Sequence, residues 1–303
     1  MTPTRSFRPS IGPVSVALMA TVFWTAGGTI AKSSPLGGPQ LAFWRSLMAA
    51  LVYSLVTTLK GERPTLSSIR RSAVGGVGFG LSVTLIFVAY RMTSFVSANV
   101  IGALQPVLLI PLSARLMGER TRARGVALMC LAVVGTIIVQ IGSSLGGNWS
   151  LRGDLVALAS MVVGCGYSLG TRAARRTLST MQYQASAMVA ATVATLPGAV
   201  TVGSGWVWPG AGELGSAALL VAVGGTGHLL YTWAQGHLPV PTVSTLVLLE
   251  IPELAVVAVV FFDESFRWSQ AIGIAIVITA ISAFVRYEAD IVVPAIGAVA
   301  PPE

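Results

Sequence analysis

The stretch 241–262, "PTVSTLVLLEIPELAVVAVVFF", has no basic residue and two acidic ones, Glu250 and Glu253. A helix that crosses the hydrocarbon core of a bilayer needs about 20 mainly apolar residues. This stretch has that length. It does not alternate apolar and polar residues, as a strand of a membrane barrel would. It reads as a membrane-spanning helix. Nine other stretches read the same way: 11–31, 38–59, 67–90, 95–117, 123–142, 153–172, 180–201, 213–235 and 267–287. The linkers are short and carry turn residues, as in Lys60-Gly61-Glu62-Arg63-Pro64, Gly146-Gly147-Asn148 and Pro239-Val240-Pro241. The expected fold is an all-α integral membrane protein of ten transmembrane helices.

Composition agrees. Of 303 residues, 54% are hydrophobic and 10% charged, against roughly 25% charged in an average soluble domain. The mean hydropathy is +0.78. Such a chain has too few charges to cover a water-soluble surface, which excludes a soluble enzyme, a disordered chain and a fibrous repeat. Two cysteines exclude a disulfide scaffold, and neither a metal nor a cofactor is expected. Arg5 and Arg8 precede the first apolar run as in a signal peptide, but its length and the lack of an A-x-A site favour a retained helix.

The net charge of +8 and the pI near 10.2 invite a nucleic-acid reading. The placement of the basic residues answers it. Ten helices put both termini on one side. That side holds Arg5, Arg8, Lys60, Arg63, Arg70, Arg71, Arg115, Arg120, Arg122, Arg124, Arg172, Arg175, Arg176 and Arg286. The other holds Lys32, Arg91, Arg152 and Arg267, and Arg45 lies within the second helix. This positive-inside bias places both termini in the cytoplasm, and no nucleic-acid partner is expected.

The chain also repeats itself. At an offset of 140, Ser46 pairs with Ser186 and Met48 with Met188; at 145, Gly80 pairs with Gly225, Ala89 with Ala234 and Glu119 with Glu264. The third and eighth stretches both carry glycine clusters, Gly75, Gly76, Gly78 and Gly80, then Gly224, Gly225 and Gly227. Each unit, 1–146 and 147–303, holds five helices. An odd number makes the second unit enter the membrane from the opposite side, so the halves are inverted repeats, a common construction of secondary transporters.

With these features the chain resembles the drug/metabolite transporter superfamily, in its ten-helix form built from two EamA-type units. The likeness rests on Arg45 in "LAFWRSLMAAL", on Pro106 in "LQPVLL", on "LMGER" at 116–120, on Gly135, and on "FFDES" at 261–265 with Gly273 beyond it. Asp263 stands where the family has glycine, and Pro252 is one residue out of register. General similarity extends to the YddG-type bacterial aromatic amino-acid exporters. The resemblance implies a bacterial inner-membrane protein that exports a small metabolite from the cytoplasm, amino acids leading. A drug or nucleoside exporter of the same fold is the alternative within transport. A lipid-modifying membrane enzyme is the alternative in another class, although no H-E-x-x-H and no P-loop is present.

Candidate site residues follow from depth. Counted from 241 at 1.5 Å per residue, Glu250 lies about 14 Å deep, near the middle of a ~30 Å core. An ionisable group there costs roughly 2.5 kcal/mol or more and is a functional candidate by default. It can carry a proton or accept a substrate ammonium, so a coupled proton is an open possibility; the bland alternative is a bonded acid within the bundle. Glu253 lies on nearly the same helix face. Arg45 sits at a similar depth to Glu253, and a structural Arg45–Glu253 pair is expected; the alternative is that Arg45 binds a substrate carboxylate. His228, with Tyr231 one turn on, is a cavity or packing residue. Trp24 in mid-membrane can stack on a substrate or pack in the core. Asn99, Gln105 and Tyr167 either glue helices or line the path. Pro106 and Pro252 are expected to kink the fourth and ninth helices as hinges. Membrane lipid and a small-molecule substrate are the expected partners.

Overall fold

The computed structural model describes residues 12–119, 121–144, 149–202, 206, 208–262 and 266–291. Arg5, Arg8, Arg120, Gly146, Gly147, Asn148, Asp263 and Glu264, which carry parts of the charge, turn and motif readings, lie outside the described residues. The described residues form α1 (Gly12–Ser33), α2 (Gly38–Leu59), α3 (Leu66–Met92), α4 (Phe95–Ala103), α5 (Gln105–Met117), α6 (Ala123–Ser144), α7 (Leu151–Ala174), α8 (Thr180–Thr201), α9 (Ala211–His237), α10 (Val240–Leu246), α11 (Glu250–Phe262) and α12 (Trp268–Ile291), with a 3-10 turn at Val247–Leu249.

These elements make ten spans. α4 and α5 together form the fourth, and α10, the 3-10 turn and α11 form the ninth. Eight spans are long and apolar enough to cross a membrane by length and composition, and Ala123–Val139 in α6 is a shorter apolar helix. α8 is more polar, with Gln182, Gln184, Ser186 and Thr192, and it packs on α2 and α3. Leu55, Val74, Val193 and Val260 stand exposed on the outward faces, where a lipid-facing surface places them.

Local chemistry sets the helix starts. Thr65 accepts from the Ser68 amide at 3.1 Å while Ser68 Oγ accepts from the Thr65 amide at 2.8 Å, a reciprocal cap that satisfies otherwise orphaned donors. Ser94, Ser150 and Ser179 cap α4, α7 and α8. Gly118, at φ 72°, ends α5 in a left-handed turn that suits glycine.

Packing follows the inverted repeat. Exchanging the two halves maps α3 against α7 onto α9 against α1, and α6 against α12 onto itself; all three contacts are present. The glycine clusters allow the first two. A Cβ on Gly78 would lie 2.6 Å from the Tyr167 backbone nitrogen, and one on Gly27 would lie 2.9 Å from Gly224 Cα. The helices therefore touch backbone to backbone, as small residues permit in a bilayer.

Near each of the two prolines the span is interrupted for one to three residues, while the backbone between the helical pieces stays in the right-handed helical region. α4 ends at Ala103 and α5 begins at Gln105; α10 ends at Leu246 and α11 begins at Glu250. Proline has no N–H to bond the carbonyl four residues back, so Pro106 sits in the first turn of a new helix, as Pro252 does. Inside the bundle such broken backbone is tolerated where it is covered by protein or lines a cavity.

Candidate functional site

Between the halves lie two adjoining spaces, an upper chamber of about 170 Å³ and a lower one of about 160 Å³. They share Trp24, Val83, Ile86, Asn99, His228 and Glu250 as walls. The upper chamber adds Arg45, Phe87 and Tyr90 among others. The lower adds Phe79, Gln105, Gly164, Tyr167 and Tyr231. Both broken spans reach the cavity, through Asn99 and Gln105 on one side and Glu250 on the other.

Arg45 is 4% exposed. Its guanidinium carbon lies 5.1 Å from the centre of the Phe79 ring and 5.9 Å from that of Phe87, near enough for cation–π attraction. Its Nε has no hydrogen-bond partner, and no described carboxylate lies within ion-pair distance. The expected Arg45–Glu253 pair is therefore not formed. Glu253 instead turns to α1, where Thr21 and Thr25 donate to its two oxygens, each at 2.9 Å. A similar expected depth does not bring the two together, because Glu253 is turned to α1 and Arg45 to the rings of α3. Glu253 ties α11 to α1, whereas Glu250 faces the cavity.

Aromatic rings build the wall. Trp24 lies 4.9 Å from the ring of His228 and 4.7 Å from that of Tyr231, centre to centre. Phe79 meets His228 edge-on at 4.7 Å, and Tyr167 Oη lies 3.3 Å from His228 Nδ1. The polar groups are partly committed. Asn99 accepts from Tyr90 Oη at 2.7 Å and donates to the Phe95 carbonyl at 2.8 Å. Gln105 accepts from Ser168 Oγ at 3.5 Å, and Ser168 lies 2.9 Å from Tyr231 Oη. The Trp24 indole nitrogen has no partner.

Trp24, Asn99, Gln105, Tyr167, His228, Tyr231 and Glu250 thus surround one cavity. Sequence reasoning missed Phe79, Val83, Phe87 and Tyr90 on α3. Their apolar or aromatic side chains are indistinguishable in sequence from packing residues.

Beyond the lower chamber two layers of bonds cross the bundle. Thr171 Oγ1 lies 2.7 Å from Tyr183 Oη. Then Arg172 Nε donates to Glu119 Oε1 at 2.7 Å, Arg172 Nη1 to the Gln235 carbonyl at 2.8 Å, and the Val240 amide to Glu119 Oε2 at 2.8 Å. At the opposite face Arg91 Nη2 donates to the carbonyls of Ser34 and Leu36. There Trp44, Trp206 and Trp208 cluster, with centres 5.4–5.9 Å apart.

A multi-pass helical bundle with a central cavity shared by two inverted halves has the architecture of a membrane transporter. The EamA-like transporter family matches this chain twice, over residues 12–141 and 151–286, and the chain belongs to that family. Each match contains five of the spans. A solved crystal structure, described only as that of a protein, is similar in fold: TM-score 0.69, 21% identity, covering 91% of this chain and 98% of that one. No curated protein shows significant sequence similarity to the chain.

Proposed function

We propose that this transporter exports amino acids, aromatic ones among them, across the bacterial inner membrane by alternating access, with both termini in the cytoplasm. The observation that carries the reading is one cavity lined by the unneutralised Arg45, by the carboxyl of Glu250 and by a wall of aromatic rings. An α-amino acid presents the matching set. Its carboxylate suits the planar fork of Arg45, its ammonium suits Glu250, and an aromatic side chain suits the rings. Glu250 can alternatively carry a coupled proton. The positive-inside bias assigns the face of Glu119 and Arg172 to the cytoplasm.

The test is flux of labelled phenylalanine into liposomes holding the purified protein, with competition by blocked analogues. Free phenylalanine and tryptophan should compete. Phenylalaninamide, which lacks the carboxylate, and N-acetylphenylalanine, which lacks the ammonium, should not. Absence of saturable amino-acid flux, equal competition by the blocked analogues, or chemical turnover of solute or lipid would overturn the reading.

A further inference from the structure

The glycines of this bundle serve two different purposes. Gly76, Gly78 and Gly170 lie against the backbone of a neighbouring helix, so a side chain on any of them would collide with main chain, and one on Gly75 would collide with the Tyr183 hydroxyl. Gly102 and Gly164 do not. A Cβ on Gly102 would meet nothing within 4 Å. A Cβ on Gly164 would approach only the Gln105 amide closely, at 2.8 Å, with Ser82 Cβ at 3.8 Å. Neither glycine is needed to bring helices together, and both line the lower chamber.

Their placement shapes that chamber. Asn99, Gly102 and Ala103 recur at helical spacing on one face of α4, and Ser160, Gly164 and Tyr167 on one face of α7. Small side chains thus stand on both walls. The space between them is about 160 Å³, and an engineered apolar cavity of about 150 Å³ holds benzene. One aromatic ring therefore fits. The adjoining upper chamber holds Arg45, buried and with its Nε unpartnered, while Glu250 lies where the chambers meet.

We propose that the lower chamber receives the substrate's side chain, and that the missing side chains of Gly102 and Gly164 set the upper limit of its size. This rests on the amino-acid reading above and deepens it: the charged head lies between Arg45 and Glu250, and the ring points toward Gly164 and Tyr167. Gly102 and Gly164 are specificity-determining positions. They have no side chain with which to bond a substrate and act only by leaving room.

The experiment compares labelled tryptophan and alanine in counterflow into liposomes, using wild type, Gly164→Ala, Gly164→Val and Gly102→Val. Alanine substitution at 164 is mild, because alanine is the better helix former and the Gln105 amide is the flexible end of its side chain. Added methyl groups in a fitted pocket change selectivity about tenfold or more. The expected result is a graded loss of tryptophan transport, reaching about tenfold in the valine variants, with alanine transport changed less than about twofold. Equal loss of both substrates with an unchanged melting temperature, or no loss of either, would overturn the assignment. If a valine variant fails to fold, Gly164→Ala and Gly102→Ala decide by the same ratio. Failure of wild type to carry either amino acid would instead overturn the amino-acid reading itself, and the side-chain assignment with it.

Discussion

Glu119 and Arg172 meet at 2.7 Å where α5 and α7 end, and their remaining bonds extend to a third and a fourth element. Glu119 also accepts the Val240 amide at the start of α10, and Arg172 also donates to carbonyls at the end of α9. One carboxylate and one guanidinium thus join four helix ends on one face of the bundle. Arg172 keeps the carbonyls at the C-terminus of α9 satisfied, where a cation is also favoured by the helix dipole.

The first prediction concerns this latch. Both side chains are partly exposed, at 20% and 12%, so screening weakens the ion pair itself. Most of the loss on truncation comes from backbone groups left unpaired, about 1–3 kcal/mol for a buried polar group. Glu119→Ala and Arg172→Ala should each lower the melting temperature of the purified protein. The double variant should lose less than the sum by the energy of the pair itself, since each single change also strands the other member, while the losses at the Val240 amide and at the α9 carbonyls are separate and add. Additive losses would show that the two residues act independently.

The helix contacts give a second prediction. Gly78→Ala would force its methyl to within 2.6 Å of the Tyr167 backbone nitrogen, which cannot move without shifting α7. Overpacking of this kind costs about 1–3 kcal/mol. Gly166, two turns nearer the start of α7 than Arg172, has nothing within 4 Å of its would-be Cβ, so Gly166→Ala should be neutral or slightly stabilising. Thermal unfolding in detergent should separate the two variants. Equal melting temperatures would mean that α3 and α7 are not in backbone contact.

How much of this was legible in the sequence depends on what kind of fact is asked for. The spans follow from apolar length alone, and the observed helices begin and end close to the expected ones because each linker carries capping and turn residues such as Thr65, Ser94 and Ser179. Position along the helix singled out Glu250, which lines the cavity. Angle around the helix axis was not legible, which is why Glu253 and Arg45 were expected to meet although Glu253 turns to Thr21 and Thr25. The aromatic wall from α3 was invisible for a related reason: Phe79, Phe87 and Tyr90 look like packing until a neighbouring space is known. The two proline sites were visible, but a proline by itself does not tell where along the span the hydrogen-bond ladder is interrupted.

Topology gives a third prediction. The described loops offer sites on both faces: Lys60 is exposed at the end of α2, and Trp208 is 76% exposed before α9. In a background lacking Cys130 and Cys165, Trp208→Cys should react with an impermeant thiol reagent in intact cells. Lys60→Cys should react only after permeabilisation, because its linker carries the basic residues that remain in the cytoplasm. The reverse pattern would invert the proposed direction of export.

The last prediction separates the roles of Arg45 and Glu253. Arg45 is buried without a carboxylate partner, and the desolvation of such a charge costs several kcal/mol. Its contacts with Phe79 and Phe87 return about 0.5–2 kcal/mol as cation–π attraction. Removing the charge while keeping the apolar bulk should therefore not weaken the fold. Arg45→Met should melt at or above the wild-type temperature, yet lose amino-acid transport if the guanidinium holds the substrate carboxylate. Glu253→Ala should behave in the opposite sense on stability, since it strands the Thr25 hydroxyl and leaves that of Thr21 only the Leu18 carbonyl of its own helix, so that α11 loses both bonds to α1. The stability effects of the two changes should add, because their partners are separate. A fold in which Arg45→Met is as damaging as Glu253→Ala, with the double variant no worse than either, would show that the two charges do meet, and the guanidinium would then belong to the scaffold and not to the cavity.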